Sequence, residues 1–176
     1  MKKIAFYFLL FISICSLTNC SSRVKHADPF YNVEQLFSIP RIPLIKPTEV
    51  EYLESFYHWR IFIDYDLSVR VPTRPGNVFY IYDGVNELEK FAVENGVIMA
   101  YSAYVNTEVD AYIQDNYYHW FVIIPDQEIA EGFQTEAEFR EYIQSLGIQD
   151  PNWRTPDEAR KQFLRTGCLE WFPDCD

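Results

Sequence analysis

Glycine is scarce, 6 in 176 residues, and no GxGxxG or P-loop pattern occurs, so the chain has no glycine-rich cradle for phosphate. GxSxG, HExxH and CxxC spacings are missing too, which removes nucleophile-elbow hydrolases, zincins and thioredoxin-type redox motifs. Basic residues are outnumbered, 15 against 26 acidic ones, for a net charge of −11. A surface of that sign repels phosphates, so nucleic acid is not expected as a partner. The longest apolar run, Ile4 to Ile14, falls short of the ~20 residues that a bilayer-spanning helix needs. What remains is rich in rings: 14 Phe, 13 Tyr and 4 Trp within a hydrophobic fraction of 48%. That is too apolar for a disordered chain and ample for one packed domain.

Lys2 and Lys3, the apolar run and a short polar stretch ending at Cys20 have the layout of a secretory signal. Leu17-Thr18-Asn19-Cys20 resembles the lipobox of bacterial lipoproteins. Leu17, Thr18 and Cys20 carry the match, whereas Asn19 is larger than the Gly, Ala or Ser that the pattern favours. The resemblance implies cleavage before Cys20 and its acylation with palmitate-type chains, which makes the membrane a partner through the anchor. Ser21 in place of Asp after the cysteine implies the outer membrane, and the basic character of Ser21 to His26 favours the periplasmic side. The expected organisation is a lipoprotein signal peptide at 1–19, a tether and Pro-rich extended segment at 20–47, and a globular domain at 48–176. Loss of 1–19 removes Lys2, Lys3 and no acid, so the mature chain has a net charge of −13. Cys15 leaves with the signal and Cys20 takes lipid, which leaves Cys168 and Cys175 to pair in an oxidising compartment.

Pro29, Pro40, Pro43 and Pro47 interrupt an apolar stretch that should lie along the domain surface and stay out of a sheet centre. Strand signals follow at Val50 to Glu54, Tyr57 to Ile63, Val78 to Tyr82, Val97 to Val105 and Tyr117 to Ile124. Val85, Leu88, Phe91 and Ala92 recur at helical spacing before Asn95-Gly96, which predicts a helix with a glycine stop. Thr135-Glu136-Ala137-Glu138 and Thr155-Pro156-Asp157-Glu158 open two further helices as capping boxes, closed by Gly147 and Gly167. The expected fold class is therefore α+β: a single domain with a mainly antiparallel sheet of about five strands and about three helices packed on one face.

One local echo stands out. Phe56-Tyr57-His58-Trp59 and Tyr117-Tyr118-His119-Trp120 both run into apolar strands. Were the strands neighbours, His58 and His119 would share a sheet face. Two histidines lack the third ligand of a typical zinc site, so neither metal nor cofactor is expected, and His58, Trp59, His119 and Trp120 stand as a candidate binding face. Asp64-Tyr65-Asp66 resembles the metal-binding DxD pair of many glycosyltransferases, but an exported protein meets no sugar nucleotides. Asp64, Asp66, Asp83, Asp110 and Asp115 supply carboxylates from which a glycosidase pair would be drawn, and 26 acids supply such pairs by chance. The catalytic set is accordingly expected to be empty. The leading expectation is an envelope-anchored lipoprotein with a non-catalytic domain that binds a cationic protein or peptide, in an immunity-like or assembly role. The alternatives are an envelope glycan hydrolase and a structural lipoprotein with no specific ligand.

Overall fold

A computed structural model describes residues 24–33, 39–63, 69–74, 77–81, 84–103 and 118–175. The fold is α+β as expected, but in place of one sheet of about five strands the described residues form two sheets, of three and six strands, because the strand at Ile61 pairs with the chain leading to Leu88 at Val85 alone. Strands β1 (Arg41–Pro43), β2 (Glu49–Leu53) and β3 (His58–Phe62) form an antiparallel sheet in that order. Strands β6 (Leu88–Glu94), β7 (Val97–Ser102), β8 (Trp120–Ile124) and β9 (Ile129–Phe133) form the second, antiparallel throughout in the order β9-β8-β7-β6. The hairpin of β4 (Val69–Arg74) and β5 (Asn77–Ile81) extends it through a parallel pairing of Arg70 with Glu131. Two helices follow, α1 (Glu136–Ser145) and α2 (Pro156–Thr166).

Both helices begin where the sequence places them. Thr135 and Thr155 each accept from the backbone of Glu138 and Glu158, and each glutamate reaches back to the threonine N–H. Two otherwise orphaned donors are satisfied at each start. Those hydrogen bonds to Thr155 hold the Glu158 carboxyl below its ordinary range, so this cap is intact at neutral pH and weakens as acid protonates it. Gly167, with φ +76°, ends α2, in the left-handed conformation that glycine adopts without a Cβ penalty.

The expected helix from Val85 to Gly96 is instead strand β6. Asn95 and Gly96 both have positive φ, +51° and +80°, and join Glu94 to Val97 in a two-residue hairpin. Asn-Gly is the sequence favoured for that turn. The helical spacing misled because β6 is covered on both sides, so apolar residues fall at both parities. The helices also do not share one face of the sheet. Phe139 and Ile143 of α1 pack with Met99, Val122 and Ile124. Ala159 and Phe163 of α2 pack with Ile98, Ala100, Phe121 and Ile123, together with the three-stranded sheet. Alternate residues of β7 and β8 thus point into two separate cores, and the sheet is the middle of three layers.

The proline-rich segment lies at an edge. Pro43 sits in β1, whose one strand neighbour among the described residues is β2, where a missing donor is tolerated. Tyr31, Ile42 and Leu44 from this segment join the α2 core. Upstream, the Val24 N–H donates to Thr166 O at 3.0 Å and buried His26 contacts Gly167 O through Nε2 at 2.7 Å. The Trp171 indole donates to Pro43 O at 3.1 Å. Cys168 and Cys175 are joined by a disulfide that closes the loop around Trp171 and Phe172. In the chain-entropy treatment so short a loop contributes roughly 2.5 kcal/mol. Cys168→Ser/Cys175→Ser should therefore lower the unfolding free energy by about that amount, measured by urea titration against the oxidised protein. An unchanged midpoint would show that the loop is held by Phe172 packing alone.

Candidate functional site

Among the described residues, one backbone bridge links the two sheets. Ile61 of β3 exchanges both backbone hydrogen bonds with Val85, at 2.9 and 3.1 Å, and the pairing stops there. Left-handed residues bracket Val85 on both sides: Gly84 at φ +87° and Glu87 at φ +47°. Ser102 Oγ donates to Asn86 O and ties this turn to β7. The chain thus touches β3 for one residue and then veers away. Beyond the contact the strands splay and leave an open cleft of about 390 Å³, lined by Phe56, Tyr57, His58 and Trp59 on one side and Glu87, Leu88 and Glu89 on the other, with Ala103 beside them.

The rim is unusual for a soluble surface. Phe56 is 69% exposed and Tyr57 84% exposed, at the tip of the four-residue loop that joins Leu53 to His58. Tyr57 takes φ +58°, its N–H donating to Leu53 O at 2.8 Å. This is why β3 begins at His58, one residue later than the aromatic pattern suggested. A bulky residue in left-handed backbone carries strain, and strained positions gather at functional sites. Two of the five such non-glycine residues described, Tyr57 and Glu87, line this one cleft. Phe56 leans on the His58 ring at 5.9 Å, and His58 Nε2 is shielded from solvent without a hydrogen-bond partner among the described residues. Trp59 is steadied from behind, its indole donating to Asp157 at the start of α2 at 3.1 Å.

The two halves of the sequence echo have different fates. His58 and Trp59 belong to the three-stranded sheet, whereas His119 precedes β8 in the other, so the histidines share no sheet face. His119 Nδ1 contacts Ser102 O at 2.8 Å. Trp120 stacks on Phe139 at 5.0 Å and meets Trp153 edge-on at 5.8 Å. Lys90 Nζ lies over three rings, at 4.9 Å from Trp153, 5.1 Å from Trp120 and 5.3 Å from Tyr101. That aromatic cage is already filled by the chain's own cation, and Trp120 serves packing.

His26, Cys168 and Cys175 bring potential metal-ligand atoms within 4.8 Å of one another. The sulfurs are consumed in the disulfide and Nε2 faces Gly167 O, so this cluster is a structural knot rather than an open ligand set. Asp64, Asp66, Asp83, Asp110 and Asp115 lie outside the described residues, as does Cys20. Of the residues singled out in the sequence, His58 and Trp59 line the cleft and His119 and Trp120 do not, while Glu87 and Glu89 line it without a sequence signal. Nothing local marks those two, because the cleft exists only where two sheets diverge.

Comparison with known protein families, curated proteins and solved structures found no match. What the described surface offers a ligand is the cleft. Its chemistry is aromatic faces next to carboxylates, an arrangement that attracts a cation through the ring quadrupole and through charge.

Proposed function

We propose that this protein is an outer-membrane lipoprotein, anchored through Cys20 and facing the periplasm, whose domain is a non-catalytic binding module for a cationic protein or peptide. The observation that carries the binding role is the cleft, where two solvent-facing rings, Phe56 and Tyr57, stand opposite Glu87 and Glu89. Exposed rings give large contact area at low entropic cost, and the acidic surplus of the chain steers positive partners towards it. Anchoring is tested by detergent-phase partitioning of the full-length precursor expressed in a bacterium. The mature protein should enter the detergent phase and begin at Cys20, and Cys20→Ser should return it to the aqueous phase. A Cys20→Ser protein that still partitions removes the anchor.

Binding is tested with a fluorescent hexalysine peptide and the soluble domain. Affinity should fall at least ten-fold in Glu87→Gln/Glu89→Gln and in Phe56→Ala/Tyr57→Ala, while Glu136→Gln, on α1 and paired with Arg140, leaves it unchanged. Association should also slow between about 0.01 and 0.15 M salt, as the Debye length shrinks from ~30 to ~8 Å. Binding that ignores the cleft variants and weakens equally with Glu136→Gln would show diffuse charge attraction without a site.

A further inference from the structure

The geometry points to strand addition: the cleft takes an extended, lysine- or arginine-bearing peptide segment that pairs with the free edge of β3 at Trp59. This inference rests on the binding role proposed above and specifies how the partner is held.

The argument starts from hydrogen-bond parity. In an antiparallel pair, successive residues turn their peptide groups alternately towards and away from the neighbouring strand. Ile61 gives both its N–H and its C=O to Val85, so both groups point away from β2. Trp59, two residues back, points the same way. The opposite strand agrees: Tyr52, the β2 partner of Trp59, sends its N–H to Pro40 O at 2.8 Å and not to β3. The Trp59 peptide groups therefore face the cleft. Continuing the Ile61–Val85 register would set Glu87 against Trp59, but the positive φ of Glu87 turns its backbone away. Among the described residues, Trp59 has no backbone partner there.

An unpaired donor and acceptor on one strand edge is the template that β-augmentation uses. What keeps this edge from generic aggregation is its surroundings. The free edge is that of Trp59, bounded on one side by the Ile61–Val85 bridge and on the other by the turn at Tyr57, too short for another sheet to dock. Glu87 and Glu89 on the far wall select a positive side chain on the incoming segment, and Phe56 and Tyr57 offer rings to its neighbours. Main-chain bonds supply the pairing, while rings and carboxylates supply the choice of sequence.

The test uses an eight-residue peptide of alternating lysine and valine and two isomers of it, N-methylated at every lysine or at every valine. All three have the same charge and side chains. The unmodified peptide should bind, one methylated isomer should lose affinity at least ten-fold, and the other should match the parent, because only one parity of amides faces the edge. In amide hydrogen exchange followed by NMR, the Trp59 N–H should exchange freely in the protein alone and at least ten-fold more slowly with saturating parent peptide. Equal binding of both isomers would overturn strand addition while leaving a cation-binding cleft. A Trp59 amide already protected without peptide would overturn it as well, since the edge would then be taken. Failure of all three peptides to bind would remove the inference together with the binding role.

Discussion

Phe91→Ala should destabilise the domain by about 3–5 kcal/mol, the range for emptying a fully buried phenylalanine site. Phe91 is 0% exposed and lies in the core shared by both sheets, α2 and the disulfide loop, with the Trp171 ring 5.6 Å away. Its backbone exchanges hydrogen bonds with Arg154 at 2.9 and 2.8 Å, and alanine keeps both. The loss therefore reports the ring alone. Ordinary domains are stable by about 5–15 kcal/mol, so the variant should unfold at a much lower urea concentration. A shift worth less than ~1.5 kcal/mol would mean that Trp171 and Leu88 collapse into the space. Phe56→Ala is the contrast: that ring is mostly in water, and its loss should stay within ~0.5 kcal/mol.

Gly84→Ala should be nearly as damaging, at about 2–5 kcal/mol, by a different route. A Cβ on Gly84 would stand 2.0 Å from Ile61 O, inside any permitted contact, and the residue holds φ +87°. Left-handed backbone costs an L-residue ~1–2 kcal/mol, and forcing atoms into a packed site adds ~1–3 kcal/mol. The atom in the way is the acceptor of the Val85 bridge. Relieving the clash pushes apart the backbone bridge between β3 and Val85, so the cleft should change shape along with stability. Urea unfolding reads the first effect and hexalysine titration the second. Full stability with intact binding would show that residues 84–87 can shift as a unit, and that the bridge does not set the cleft.

What the sequence disclosed and what it withheld divide along a physical line. The two helices were legible because a capping box is local: Thr135 with Glu138, and Thr155 with Glu158, close within three residues. Strands β2, β3, β5, β7 and β8 were legible to within their ends. Strands β1, β4 and β9 carry no strand signal in that reading, and β6 reads as a helix, since Phe91 and Ala92 are both buried, on opposite sides, in different cores. Its hairpin signal, Asn95-Gly96, marks a helix end just as well, where glycine is equally at home. The cleft was half legible. An aromatic-His-Trp pattern occurs twice, and only tertiary structure separates Trp59 at an open edge from Trp120 beneath Phe139. No pattern along one strand announces where a second sheet will turn away.

The meeting of His26 with Gly167 joins residues 141 apart in sequence, and Trp171 with Pro43 joins residues 128 apart. Pairings this distant must wait for chain in between to be ordered, which slows folding relative to a domain of local contacts. Closure itself is affordable, because each doubling of loop length adds only ~0.6 kcal/mol, so the delay is one of order rather than stability. A chain emerging from its N-terminus first cannot seat His26 and Tyr31 until Gly167 and Phe172 have followed. Until that moment its early aromatic residues stay open to whatever carries the unfinished polypeptide.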